Sequence, residues 1–337
     1  MVAGLLVLLA AGTTTVSMSL YHGGDAGISF EAEGTLVYET YHTHDLYSNT
    51  KHFVITRQGN LWKIRTTNIV EERNGVETPA GDQIEAYSEM GFDGTNIYNL
   101  KMDNEQKALA GFSRATIQSG NYALAQGRVD KAEAPPYLDF ELQYPVWLAY
   151  CSGAYFQNLN SDQAVPPTLG ERDFLNERAV PIKAAAKWNM DGKNFVKDVS
   201  WYNDGTFIGY LGGGKTMAGK YPPPYDKPFV DRRFEVLSWT NWNGASIPSS
   251  FRIAVYHPDY PTNGPATLTT SFTFRGTLEQ IRTVDKFSPV PELVTKTIIS
   301  DFRSAGRRGN SRNSYLSTNH WDFSDAIHPG AAGRSPQ

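Results

Sequence analysis

The octapeptide GYLGGGKT, Gly209 to Thr216, satisfies the phosphate-loop pattern G-x-x-x-x-G-K-[ST], in which backbone N–H groups and the positive end of a following helix converge on phosphate. That chemistry needs the helix. The next residues are MAGKYPPPYDKP, and three consecutive prolines forbid a helix interior there. The stretch therefore reads as a glycine-rich loop leaving a β-strand, and no nucleotide is expected. A second set is YHTHD, which places His42 and His44 on one side of a strand with Asp45 beside them and His52 across a hairpin. Two imidazoles and a carboxylate suit zinc, but the spacing fixes no further ligand, so the expectation is an exposed polar strand end and no metal. Asp139 and Glu141 in YLDFELQY share a strand face, whereas carboxylates that cleave a glycosidic bond must oppose each other across it. With no G-x-S-x-G elbow and no triad pattern, no catalytic residue and no cofactor are assigned. Trp239, Trp242 and Asn243 in SWTNWNG lie at a hairpin tip, where indoles could stack on a sugar or dip into a bilayer surface, although Trp in an antiparallel protein ordinarily fills the core.

Glycine-centred turns between alternating apolar and polar runs would position these groups. They fall at Gln58-Gly59-Asn60, Asp93-Gly94, Asp191-Gly192, Asp204-Gly205, Asn243-Gly244 and Arg275-Gly276. Phe53 and Ile55 alternate before the first turn, and Trp62 and Ile64 after it. The connections are too short for crossover helices, so the fold class is mainly β: a curved antiparallel sheet or half-barrel of successive hairpins. In this scheme Thr206 to Leu211 is the second strand of a hairpin and GGGK the loop leaving it. YPVWLAYCSGAYFQNL, residues 144–159, has aromatic residues near helical spacing and a proline suited to a first turn, and reads as a helix covering the sheet. Its flank LNSDQAVPPTLGERD is a loop that either joins two halves near 160–178 or runs within one domain over 27–302. YPPPYDKP, Tyr221 to Pro228, reads as a stiff polyproline II connector, and 303–337, with Arg303, Arg307, Arg308 and Arg312, as a flexible polar tail.

The chain has 337 residues, 40% of them hydrophobic and 12% aromatic, and a formal net charge of −4, which gives no reason to expect a nucleic-acid partner. The apolar run from Val2 to Ala11 has the length of a secretory h-region, so residues 1–20 read as a signal segment and the protein as periplasmic or secreted. No cysteine stands where Gly12 does, so no lipid anchor is expected. The single Cys151, among large apolar residues, reads as a buried inert thiol.

The segments FVITRQGNLWKI, FDGTNIYNL, YPVWLAYCS and NWNGASIPSSFRIAVY, in this order, resemble a group of exported bacterial proteins distantly similar to the half-barrel carriers of outer-membrane lipoproteins. The resemblance spans residues 30 to 302. It implies a curved antiparallel sheet around a helix, with an apolar concavity that accepts acyl chains. No carrier binding residue maps onto a position of this chain, which is markedly longer than a carrier. The resulting expectation is a non-enzymatic protein that binds an apolar or lipidic ligand in envelope or lipoprotein handling, with peripheral envelope association. Trp62, Trp147, Tyr150 and Phe156 would line or underlie the groove. The alternative is a secreted carbohydrate-binding or carbohydrate-acting protein using Trp239 and Trp242.

Overall fold

The computed structural model describes residues 28–41, 46–83, 85–103, 113–119, 143–157, 185–192, 194–212, 215–301 and 313–322. The expected signal segment, His42, His44, Asp45, Asp139, Glu141, the 160–178 loop and the four tail arginines lie outside these residues.

The first half of the chain folds as a meander of β1 (Ser29–Thr40), β2 (Tyr47–Gln58), β3 (Leu61–Arg73), β5 (Glu85–Phe92), β6 (Asn96–Asp103) and β7 (Ser113–Ser119), with the short β4 (Val76–Pro79) paired to β3. The second half supplies β8 (Ala185–Asp191), β9 (Phe195–Asn203), β12 (Phe229–Trp242), β13 (Ala245–Asp259) and β14 (Thr267–Arg282). The two meanders run outward in opposite directions from a central antiparallel pair, β1 with β14. One curved, open sheet results, and the mainly-β half-barrel architecture holds. Turn chemistry accounts for its local form. Gly59, Gly94, Gly192 and Gly244 all have positive φ, between 59° and 94°, a conformation that glycine adopts at no steric cost.

Helices α1 (Tyr144–Tyr150) and α2 (Gly153–Gln157) cover one face of the sheet, here called the inner face, and α1 packs on β2, β9, β12, β13 and β14. The covering helix is thus divided in two at Cys151 and Ser152. Gly153 sets the geometry after the break, because a Cβ there would lie 2.1 Å from the carbonyl oxygen of Asn194. Alternate residues of each strand point inward: Phe53 and Ile55 on β2, Trp62 and Ile64 on β3, Met90 and Phe92 on β5, with Phe251, Ile253 and Phe274 from the other half.

Four expectations need correction. Arg275-Gly276 is not a turn but the middle of β14, where Gly276 faces the Phe251 ring closely enough that a Cβ would lie 2.0 Å from it. Thr206–Gly212 (β10) does not return along β9; it pairs with Lys215–Lys220 (β11) in a separate two-stranded sheet, so the glycine run joins two strands and a strand, not a helix, comes after it. Tyr221–Pro228 is a turn rather than an extended polyproline helix: the Tyr225 amide donates to the Pro222 carbonyl at 3.1 Å, and Tyr225 packs edge-on against Phe229 and Tyr260. Within the expected tail, β16 (Asn313–Ser317) pairs with β15 (Thr297–Asp301) and buries Tyr315 completely.

The strand β15 also departs from the next-neighbour scheme. The chain leaves β14, crosses the outer face and enters β15 parallel to β7. This strap lies directly on β5, since a Cβ on Gly91 would stand 1.7 Å from the Pro289 carbonyl oxygen. It completes a second core of Tyr98, Leu100, Ile117, Leu293, Ile299 and Tyr315, with Trp321 donating to the Pro291 carbonyl at 2.7 Å. Strands β5 to β7 are therefore covered on their outer side, which explains why β6 buries residues of both parities.

Candidate functional site

The inner face divides into two chemical territories. Around α1 it is apolar and filled. Tyr150 is fully buried between Phe30, Phe53 and Phe251, with ring centroids 5.8–6.1 Å away, and its hydroxyl donates to the Pro248 carbonyl at 3.0 Å. Arg57, also buried, caps the end of α1 by donating to the Tyr150 carbonyl at 2.6 Å, and its guanidinium lies 5.6 Å from the centre of the Phe195 ring. Phe156 is buried against Trp188, Trp62 packs beside Phe92, and the half-buried Trp147 stacks on Tyr144. Trp239 and Trp242 are half-buried and pack against the same core, Trp239 edge-on to Phe195. The structure thus gathers all six sequence-derived aromatic candidates around one core.

Cys151 lies in this territory, its thiol pushed up to about 12 by burial, which the Arg57 charge only partly offsets. The thiolate is the nucleophile, so the folded protein is expected to resist iodoacetamide at pH 8 and to be alkylated fully once unfolded in urea. Intact-mass spectrometry separates the two, and rapid labelling of the folded chain would contradict this burial.

Away from α1 the inward parity continues, but the residues change. Above Phe53 on β2 come Lys51 and Asn49; above Ile64 on β3 come Thr66 and Asn68; beside Met90 come Ser88 on β5 and Asn99 on β6. All six are buried. Glu85, at the irregularity that opens β5, receives Lys51 at 3.1 Å and the Ser88 hydroxyl at 2.9 Å, and Lys101 stands 3.9 Å away. Only 3% of the Lys51 side chain is exposed, and burial lowers its pKa below the ordinary lysine value, an effect that the Glu85 charge and hydrogen bond offset in part. For Glu85 burial acts upward, but Lys51, Lys101 and the hydrogen bonds outweigh it and hold the carboxyl below 4.5.

Several polar atoms here meet no hydrogen-bonding partner among the described residues: Oδ1 of Asn49, Asn68 and Asn99, and Oγ1 of Thr66 and Thr116. Leaving a buried polar atom unpaired costs about 1–3 kcal/mol, so five on neighbouring inward positions of β2, β3, β6 and β7 concentrate unmet hydrogen-bonding capacity in one part of the inner face. Next to them, on β1 and β14, runs an aromatic strip. Tyr38 stacks on Phe274 at 4.7 Å and meets Tyr47 and Phe272 edge-on, each at 5.7 Å. The sequence reading overlooked this polar surface, although the alternation Asn49, Lys51, Phe53, Ile55 carried it. Among the described residues, no group of three or more His, Cys, Asp or Glu could hold a metal ion; His52, on the opposite parity of β2, pairs with Thr35 and Thr67.

In its structure the chain is distantly similar to LolA-superfamily proteins. A LolA-superfamily protein from Nitrosomonas europaea aligns with 9% identity and a TM-score of 0.30, over 77% of this chain and 87% of that one. A domain of an outer membrane lipoprotein-sorting protein from Vibrio parahaemolyticus aligns with 7% identity, a TM-score of 0.30 and the same coverages of 77% and 87%. A DUF1329 family protein from Desulfovibrio piger aligns with 8% identity and a TM-score of 0.30, over 78% and 89%. No family model matches the sequence, and no curated protein matches it.

Proposed function

We propose that the protein is a non-enzymatic binder of a lipid-like ligand, held on the inner face of the sheet and acting in the periplasm or outside the cell. The observation that carries this reading is the juxtaposition of an aromatic strip, Tyr38, Phe272 and Phe274, with a wall of inward-facing polar atoms that lack protein partners. A molecule with an apolar tail and a polar head meets both demands at once, the tail by burial of apolar surface and the head by hydrogen bonds. Trp62, Tyr150 and Phe156 would then support the helix that bounds the site, with Trp147 at its margin. The carbohydrate reading built on Trp239 and Trp242 gains no such support, because both indoles lie on β12, separated from β2 and its polar neighbours by β13, β14 and β1.

The test is to purify the full chain without detergent, extract it with chloroform and methanol, and identify what co-purifies by mass spectrometry. A lipid present at close to one per protein is the expected result. An extract free of lipid, together with failure to bind the uncharged apolar dye N-phenyl-1-naphthylamine, would overturn the reading.

A further inference from the structure

If the inner face holds an amphiphile as just proposed, the hydrogen-bonding sense of its polar wall specifies the head. We infer that the ligand carries an uncharged, hydroxyl-rich headgroup of the glycerol or sugar type, and not a phosphate or carboxylate. The orientation of the amides is the first ground. Asn68 Nδ2 donates to the backbone carbonyl of Glu85 at 2.6 Å, and a carbonyl offers no proton in return, so the atom left without a partner is the acceptor Oδ1. Asn49 is fixed in the same way. Its Nδ2 donates at 3.2 Å to the Tyr47 hydroxyl, which itself is hydrogen-bonded to the Glu71 carboxylate and so has its own proton committed. Asn99 Oδ1 is a third unpaired acceptor, and Thr66 and Thr116 add two hydroxyl oxygens.

Three amide oxygens turned inward repel an anionic headgroup and accept protons from hydroxyls. Charge gives the second ground. Lys51, Lys101 and Arg114 on these strands are matched by Glu71, Glu85 and Asp103, and both lysines are already drawn to Glu85. A site built for an anion would carry an excess of cationic donors in forked geometry. Here the charges balance, and the groups left to satisfy are three amide acceptors and two threonine hydroxyls. A polyol both donates to the amide oxygens and accepts from the threonine hydroxyls, which no anionic oxygen can do.

The test displaces N-phenyl-1-naphthylamine from the full chain with four amphiphiles that share a twelve-carbon tail, each kept below its micellar concentration: 1-lauroylglycerol, dodecyl maltoside, laurate and dodecyl phosphate. At least one hydroxyl-headed amphiphile is expected to displace the dye at a concentration about tenfold lower than either anion, the effect of one or two well-made hydrogen bonds. Asn68→Leu and Thr66→Val should each shrink that preference severalfold. Equal displacement by all four, or preference for an anion, overturns the headgroup inference and leaves lipid binding standing. If none displaces the dye, the proposed function falls with it. The comparison among ligands is made on the unaltered protein and does not depend on how any variant folds.

Discussion

Gly276→Ala is expected to lower the midpoint of thermal unfolding by roughly 3–6 °C, corresponding to about 2–3 kcal/mol of overpacking in a domain of this size. The cause is the close approach of one ring. An added Cβ would lie 2.0 Å from Cζ of Phe251, and that ring is fully buried between Phe53, Phe234 and Tyr150, whose centroids are 5.8–6.3 Å away. It has nowhere to go. Gly34, in register with Leu278 two residues further along β14, makes the same concession to Phe53, with ring carbons 2.9–3.0 Å from its absent Cβ. The two glycines therefore form a notch across the central strand pair that receives the ring ends of two phenylalanines. In an ordinary strand, alanine in place of glycine raises stability by about 0.4–1 kcal/mol, so the sign of the change decides. Circular dichroism melts of Gly276→Ala, and of Gly276→Ala with Phe251→Leu, are the measurement. The second substitution should recover part of the loss, and an unchanged or raised midpoint in the single variant would remove the notch from the account.

The second large effect concerns Glu85. Glu85→Ala is expected to cost about 3 kcal/mol, near the lower end for removing one partner of a buried ion pair, since Glu85 keeps a quarter of its side chain exposed. What remains is the Lys51 ammonium with almost no access to water. Adding Lys51→Met should restore most of the loss, because the buried charge is then gone as well, and a double-mutant cycle from urea unfolding measures the coupling. The direction of the shifts sets the pH dependence. Glu85 sits below 4.5 in the folded chain, so its contribution is complete above 4.5 and fades as pH falls through the lower folded value. Lys51 acts at the other end: its folded value lies below 10.5, so the chain gains stability as pH rises from that value toward 10.5. The gap between the original protein and Glu85→Ala should accordingly be wide at pH 7 and narrow as pH falls through the lowered folded value of Glu85. A gap independent of pH would mean that packing, not charge, is what Glu85 supplies.

The parts of the fold legible in the sequence are those written in short range. Asp-Gly and Asn-Gly pairs mark turns because glycine takes up positive φ there, as at Gly94 and Gly244, and alternation places Phe53, Ile55, Trp62 and Ile64 on one face. Gly276 misleads for the same reason that the others inform. Its local sequence resembles a turn, but what it accommodates is a ring from β13, which no local pattern announces. The path of β10 is equally hidden. Asp204-Gly205 does turn the chain, yet whether the emerging strand pairs backward with β9 or forward with β11 depends on the residues beyond the glycine run. β15 and β16 escape notice because a strand of five residues gives little alternation, and Tyr315 becomes core only once Leu293 and Trp321 have been brought over the outer face. For the candidate site, aromatic residues draw the reading toward the filled end of the inner face. The informative signal is quieter: asparagine, lysine and threonine in register with phenylalanine and isoleucine.

The seam between β1 and β14 also bears on how the protein is made. Leu36 waits for Gly276, and Val37 for Arg275, so the middle of the sheet closes only once most of the chain is available to fold. Until then the nascent chain presents the hydrogen-bonding edge of β1, the sort of edge on which misassembly begins. Folding rate should thus be governed by this late zippering of distant ends, and a polypeptide halted before β14 should be a substrate for chaperones or proteases rather than a smaller working domain.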